Sequence, residues 1–262
     1  LTTGYSNIAI GSDALYTETN GYGNIAIGKD AAKLLANESY RNVAIGDLAL
    51  DAQTTGTITE FVAVGYRACG SHNRDAGNSS LTAIGGSALA ACTTGDRVTA
   101  VGGRSGENLT TGSYSVFVGQ ASGYNVTTGS WNVAIGYSAM HSGNVTGSSN
   151  VAIGGEALDE LTSGTNNTSI GHMALHELTT SSNNTAIGAN SCYNMTTGSN
   201  NTAIGYQALD AVTTGASNVS VGAQAGGAIT TGSHNISLGL SAGSSNTTGN
   251  WSIFLGGYSG SD

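Results

Sequence analysis

The sequence predicts an all-β protein, a parallel β-roll or β-helix solenoid of about fifteen coils of about 17 residues each. Three observations carry this. A short apolar run closing on glycine, as in Asn201-Thr202-Ala203-Ile204-Gly205, occurs fifteen times, with the glycines at 11, 28, 46, 65, 85, 102, 119, 136, 154, 171, 188, 205, 222, 239 and 256. Ten of the fourteen spacings are 17 and the others are 18, 19, 20 and 18. Self-similarity at one short period marks units that stack on one another rather than fold separately. Finally, 41 of 262 residues are Gly and none is Pro. Proline cannot donate to a sheet ladder, so its absence suits continuous parallel stacking. The glycines follow no G-X-Y period, which excludes collagen. On this reading residues 1–262 form a single repeat solenoid.

The coil is justified position by position, counting its glycine as 0. Position −1 is Ile, Val or Leu, and −2 is Ala or Ser except at Phe117 and Phe254. Position −3 is Ile, Val or Thr. Position −4 is Asn at Asn7, Asn24, Asn42, Asn132, Asn150, Asn167, Asn184, Asn201, Asn218 and Asn235. This run alternates as a strand does, with −1 and −3 on one face and −2 and −4 on the other. A wet face would carry variable, charged residues at −2, and it carries none, so both faces are expected to be buried. Positions −1 and −3 are expected to fill a thin core with the apolar residues at +4 and +7. The small-residue face then needs a cover. One solution is a symmetry mate, which predicts a homo-oligomer of three chains around the long axis. The other is the chain's own row of Ala and Ser at +3. The Asn column is expected to form a structural ladder along the stack, one step every ~4.8 Å. Glycines at 0 and −7 mark the expected corners. Segments 30–37 and 156–161 are long enough for a turn of helix but are hemmed in by glycine and Asn/Thr clusters.

The longer coils place loop bulges near 57–60 and 71–75. Residue 1 falls at the +7 place of the period and residue 262 at +6, so the solenoid reads as uncapped at both ends. Uncapped coils predict end-to-end stacking, either within a longer fibre or as a head-to-tail filament.

Charge narrows the partners. The formal net charge is −9, and all seven cations lie in the first 104 residues beside nine acids. Residues 105–262 hold seven acids and no Lys or Arg. No basic footprint for nucleic acid is present. No apolar run is long enough to span a bilayer, so no membrane insertion is expected. A segment without trypsin sites suits an extracellular setting, on a cell surface or a virion. Cys69, Cys92 and Cys192 fall at apolar positions of the coil and are expected as small core hydrophobes rather than disulfides or ligands.

No catalytic constellation, cofactor motif or metal site is expected. His172 and His176 stand four apart, which aims two ligands at one metal on a helix but not on a coil. His176-Glu177 begins like a zincin motif, but Thr180 stands where the second histidine belongs. Glu156, Asp159 and Glu160 cluster as a solvated turn would. Position −5 is variable and polar, yet carries Tyr114, Trp131 and Trp251. Exposed aromatics in a column are candidate ligand-binding platforms for a cell-surface glycan or receptor. The alternative is that they pack over a neighbouring turn or against Phe117 and Phe254. Outward threonines of the Thr-Thr-Gly column would suit ice binding, but adjacent threonines alternate faces and the column is broken.

The pattern Asn132-Val133-Ala134-Ile135-Gly136-Tyr137-Ser138-Ala139 resembles the head repeats of trimeric autotransporter adhesins, and residues 196–209 are similar to repeats of phage tail fibres. The resemblance covers the whole chain at the level of repeat class. It implies a left-handed parallel β-roll, three chains together, serving attachment on a cell or virion. The coil here is longer than in the adhesins, and the chain shows no coiled-coil stalk and no anchor. The expected function is a non-catalytic structural and attachment shaft, with a self-assembling extracellular filament as the alternative.

Overall fold

The computed structural model describes residues 3–36, 38–52, 56–72 and 80–260. The chain divides into two compact units, Leu1–Trp131 and Asn132–Asp262. Each is a parallel β-solenoid, and no helix occurs among the described residues. In the first unit the strands run β1 (Ile8–Ile10), β2 (Ile25–Ile27), β3 (Val43–Ile45), β4 (Val62–Val64), β5 (Leu81–Ile84), β6 (Val98–Val101) and β7 (Val116–Val118). Each pairs in parallel with its neighbour in sequence. The second unit repeats this with β8 (Val133–Ile135), β9 (Val151–Ile153), β10 (Thr168–Ile170), β11 (Thr185–Ile187), β12 (Thr202–Ile204), β13 (Val219–Val221), β14 (Ile236–Leu238) and β15 (Ile253–Leu255). The register is position on position: Ala186 faces Ala203, and Ile187 faces Ile204.

The two faces of the strand are reversed relative to the sequence expectation. Position −2 points into the coil: Ala134, Ala152, Ala186 and Ala203 are 0% exposed. They pack in a core with Ala at +3, Leu at +4 and the +7 residues, among them Ala208, Leu209 and Val212. The aliphatic residues at −1 and the Val, Ile or Thr at −3 point outward. Closure of the small-residue face within the chain is therefore the solution used, and no partner is needed to cover it. The reason is volume. A 17-residue coil is narrow, and alanine on the strand leaves room for the leucines opposite. The two exceptions show this directly. Phe117 replaces alanine at −2, and the +4 residues around it are Gly106 and Gly123. A Cβ on Gly123 would sit 2.3 Å from the Phe117 ring, and one on Gly106 2.8 Å from it. Phe254 stands in the same relation to Gly243 and Gly260.

The Asn ladder runs through the interior on the same side as the alanines. In the second unit each Asn Oδ1 from Asn132 to Asn218 accepts the backbone N–H and the Nδ2–H of the next Asn, and that of Asn235 accepts the Ser252 N–H. For Asn201 and Asn218 these distances are 2.9 and 3.1 Å. Its own Nδ2 also donates to the carbonyl of the residue at −7 in the next coil, 2.9 Å for Asn201 to Gly215 and for Asn167 to Ser181. Asn132, Asn150, Asn167, Asn184, Asn201, Asn218 and Asn235 are all buried at 1% exposure or less. In the first unit the ladder joins Asn7, Asn24 and Asn42, and Phe61, Leu81 and Val98 then take its place in the core.

Left-handed backbone recurs at fixed places. Positions +2 and +4 have positive φ in every coil, and −5 in nearly every one. Leu158 (φ 52°) and Leu209 (φ 52°) show that side-chain-bearing residues adopt it. The αL conformation costs roughly 1–2 kcal/mol, comparable to or below the ~1.5–3 kcal/mol gained by burying a leucine. Two such angles within 30–32 and 156–158 exclude the helical turns. The corner glycine is different. Gly205 has φ 138°, and a Cβ there would lie 2.5 Å from the Gly222 carbonyl oxygen. The −7 glycines need no positive φ; their Cβ is excluded by the next coil's backbone, 2.3 Å away for Gly198.

The expected bulge at 57–60 lies along the coil wall: Ile58 is buried and Thr59 forms a parallel bridge to Tyr40. In the second, His72 turns into the core against Phe61, and 73–75 lie outside the described residues. All three cysteines are free and buried.

Replacing Asn201 by alanine strands the Gly215 carbonyl and the Asn218 amide inside the core. At about 1–3 kcal/mol per buried group left without a partner, Asn201→Ala should lower local stability by roughly 2–5 kcal/mol. Faster amide hydrogen exchange around Asn218 would record it; an unchanged rate would count against the ladder.

Candidate functional site

The outward face of each strand carries two uncharged columns, aliphatic throughout at −1 and of Val, Ile or Thr at −3. In the second unit Ile135, Ile187 and Ile204 at −1 are 36–38% exposed, and Val219 and Ile236 at −3 are 36% exposed. Neither column holds a charged residue in any coil. Monomer surfaces rarely carry apolar patches beyond a few hundred Å². Eight coils expose on the order of 1,000 Å² here, about one partner's share of a standard interface.

Position −5 is exposed as expected, and the structure brings Tyr114 and Trp131 together. Their rings stack at 4.2 Å with 4° between planes. Arg97, one coil earlier, lies 5.2 Å from the Tyr114 ring and donates to its hydroxyl at 2.6 Å. Trp251 belongs to the second unit and stacks on His234 at 4.1 Å. In both places each ring covers one face of its partner, and Trp131 and Trp251 stay 59% and 76% exposed. Trp131 (φ 61°) and Trp251 (φ 60°) hold the αL conformation that Asn183 and Asn200 adopt at this position in other coils. A second ladder was not anticipated: Tyr5, Tyr22 and Tyr40 stack at 5.0 Å with 3° between planes. Their spacings of 17 and 18 put all three at −6, so the signal was present in the sequence.

Position +5 gathers ionisable and aromatic groups in the second unit: His141, Asp159, His176, Tyr193 and Asp210 on successive coils. His176 stacks on Tyr193 at 5.1 Å and places Nδ1 3.0 Å from Glu177. Its Nε2 is 4.0 Å from Asp159, and His141 Nδ1 is 3.8 Å from the same carboxylate. His172 lies at +1, in a different column from His176. Among the described residues no group of three or more His, Cys, Asp or Glu is placed to hold a metal ion, and no helix is long and apolar enough to cross a membrane. Burial pushes the Cys92 thiol up to about 12 and raises Cys69 and Cys192 as well, so none is a poised nucleophile.

The Thr-Thr pairs split between two roles. Thr162, Thr179, Thr196, Thr213 and Thr230 donate their hydroxyls to the carbonyl of the matching threonine one coil on, at 2.9–3.3 Å. The second threonine faces solvent, as at Thr197 and Thr214, while the first, among the described residues, is half-buried except at Thr247.

Comparisons with family models, curated proteins and solved structures found no match to this chain.

Two outcomes follow from these columns. Trp131→Asn loses a ring stack worth about 0.5–1.5 kcal/mol and relieves αL strain of similar size. Its melting temperature should therefore stay close to that of the parent, and a large drop would mean the stack holds the coil. Burial raises the Asp210 carboxyl above the usual aspartate range, against the pull of the Asp210 and Ala211 backbone amides. Folding then favours the protonated form, so stability falls as pH rises from the unfolded value through the raised one. The group is half-exposed, which shrinks the effect. Asp210→Asn should melt no lower than the parent at neutral pH, with any advantage gone below the ordinary aspartate range.

Proposed function

We propose that this chain is a segment of a non-catalytic structural and attachment shaft, part of an extracellular or virion fibre. The observation that carries the reading is the pair of uncharged columns, aliphatic at −1 and of Val, Ile or Thr at −3, on an otherwise satisfied backbone ladder. A surface that repeats roughly every 4.8 Å is matched rung for rung by another copy of itself. A second copy is thus the occupant that covers the columns along their length, and three copies around a common axis would bury them completely. The interior is filled, so work falls to the outside of the coil. Surface columns of aromatic and amide side chains offer contacts for a glycan or receptor.

Sedimentation equilibrium tests the assembly. The parent chain is expected as a trimer, with short rods by negative-stain microscopy. The double variant Ile187→Lys, Ile204→Lys puts two charges on the outward face and should sediment as a monomer with an unchanged circular dichroism spectrum. A monomeric parent would overturn the shaft reading. Fibres of uniform width and indefinite length would favour a head-to-tail filament instead.

A further inference from the structure

The +5 column of the second unit changes character at one place. Large side chains occupy it from His141 to Asp210, and Gly227 and Ser244 follow. Before this step lies a groove lined by Met173, Asn190, Tyr193, Asn194, Gln207 and Asp210, and beyond Asp210 a second hollow is lined by Gln224, Gly227 and Ser244. Asp210 is the residue common to both stretches.

Each wall has a definite chemistry. Tyr193 has His176 against one side of its ring at 5.1 Å, and the other side looks along the stack toward the Asp210 coil. Asn194 is held by its Nδ2 donating to the Asp210 carbonyl at 2.8 Å, and Gln224 donates to Gln207 Oε1 at 3.2 Å. Gly227 leaves the carboxylate uncovered: a Cβ there would lie 3.2 Å from Asp210 Oδ1. The groove thus offers an aromatic face, one carboxylate with free lone pairs, and several carboxamides that can both donate and accept. No Lys or Arg occurs anywhere in residues 105–262, so nothing here attracts an anion.

We propose that this groove binds a neutral pyranose sugar, its C–H face against Tyr193 and its hydroxyls shared among Asp210, Asn190 and Gln207. A sugar ring has one apolar face and a rim of donor–acceptor hydroxyls, and this wall set matches both. The inference rests on the attachment half of the reading above.

Saturation-transfer NMR on the full chain tests it, with glucose, galactose, mannose and N-acetylglucosamine as neutral probes, glucosamine as the cationic one and glucuronate as the anionic one. At least one neutral sugar should bind at millimolar concentration. Gly227→Leu, which lays a side chain over the Asp210 carboxylate where the backbone needs no glycine, should abolish binding, and Tyr193→Ala should do the same. Asp210→Asn should weaken it about tenfold, the loss of one charge-assisted hydrogen bond. Circular dichroism of each variant separates lost binding from lost fold. The same sugars coupled to beads distinguish a surface glycan, which retains the protein, from a free sugar, which binds only in solution; either result supports the site. Absence of any neutral-sugar signal, a signal from glucosamine or glucuronate alone, or parent-like binding by a folded Gly227→Leu would overturn it. Soluble sugars report on the groove whatever the assembly state, so rods without sugar binding would remove the groove and leave the shaft.

Discussion

The buried asparagine is the constraint on which the coil depends. Its amide has to be satisfied inside the core, and one arrangement satisfies it fully: oxygen to the next coil's amides, nitrogen to the next coil's glycine carbonyl. Partly satisfied, such a group is among the costliest things a core can hold. That demand sets which side of the strand faces inward. Once position −4 is inside, −2 is inside with it, and −1 and −3 are outside. It also locks each coil to its neighbours without slip, because a shift by one residue would take every amide out of the core.

From this parity the rest follows by volume and by surface chemistry. The inner side takes Ala on the strand and Leu opposite, or Phe on the strand and Gly opposite, the same filling reached two ways. The outer side takes β-branched residues, which suit a strand backbone and cost little there. Any residue type placed on the surface is repeated along the stack as a column. Isolated surface residues hence become arrays: stacked tyrosines near the start of the chain, an arginine–tyrosine–tryptophan run, and the ionisable column that ends at Asp210.

The repeat, the strand positions, the parallel register and the Asn ladder were all legible in the sequence, because each is a property of spacing. The inward side was not, because alternation states only that two sides exist. Hydrophobic strength suggested that Ile and Val belong inside, and the narrowness of the coil decided otherwise. A subtler signal did carry the answer. Phe117 and Phe254 at −2 coincide with Gly106, Gly123, Gly243 and Gly260 at +4, a compensation that makes sense only if the two positions touch. The stacking of Tyr114 on Trp131 was likewise readable from register. The groove beside Asp210 was not, since it is bounded by residues of three successive coils rather than by a motif.

The hydrogen bonds that build the fold link residues mostly 17 positions apart, as from Thr196 to Thr213 or Asn184 to Asn201. No strand waits for a partner from the far end of the chain. The entropy of closing each loop is therefore small and nearly constant from coil to coil. A lone coil, however, has little to hold its leucines and tryptophans in left-handed backbone. Order would then advance as a front, each finished coil serving as the template on which the next is laid, much as a crystal grows from its own face.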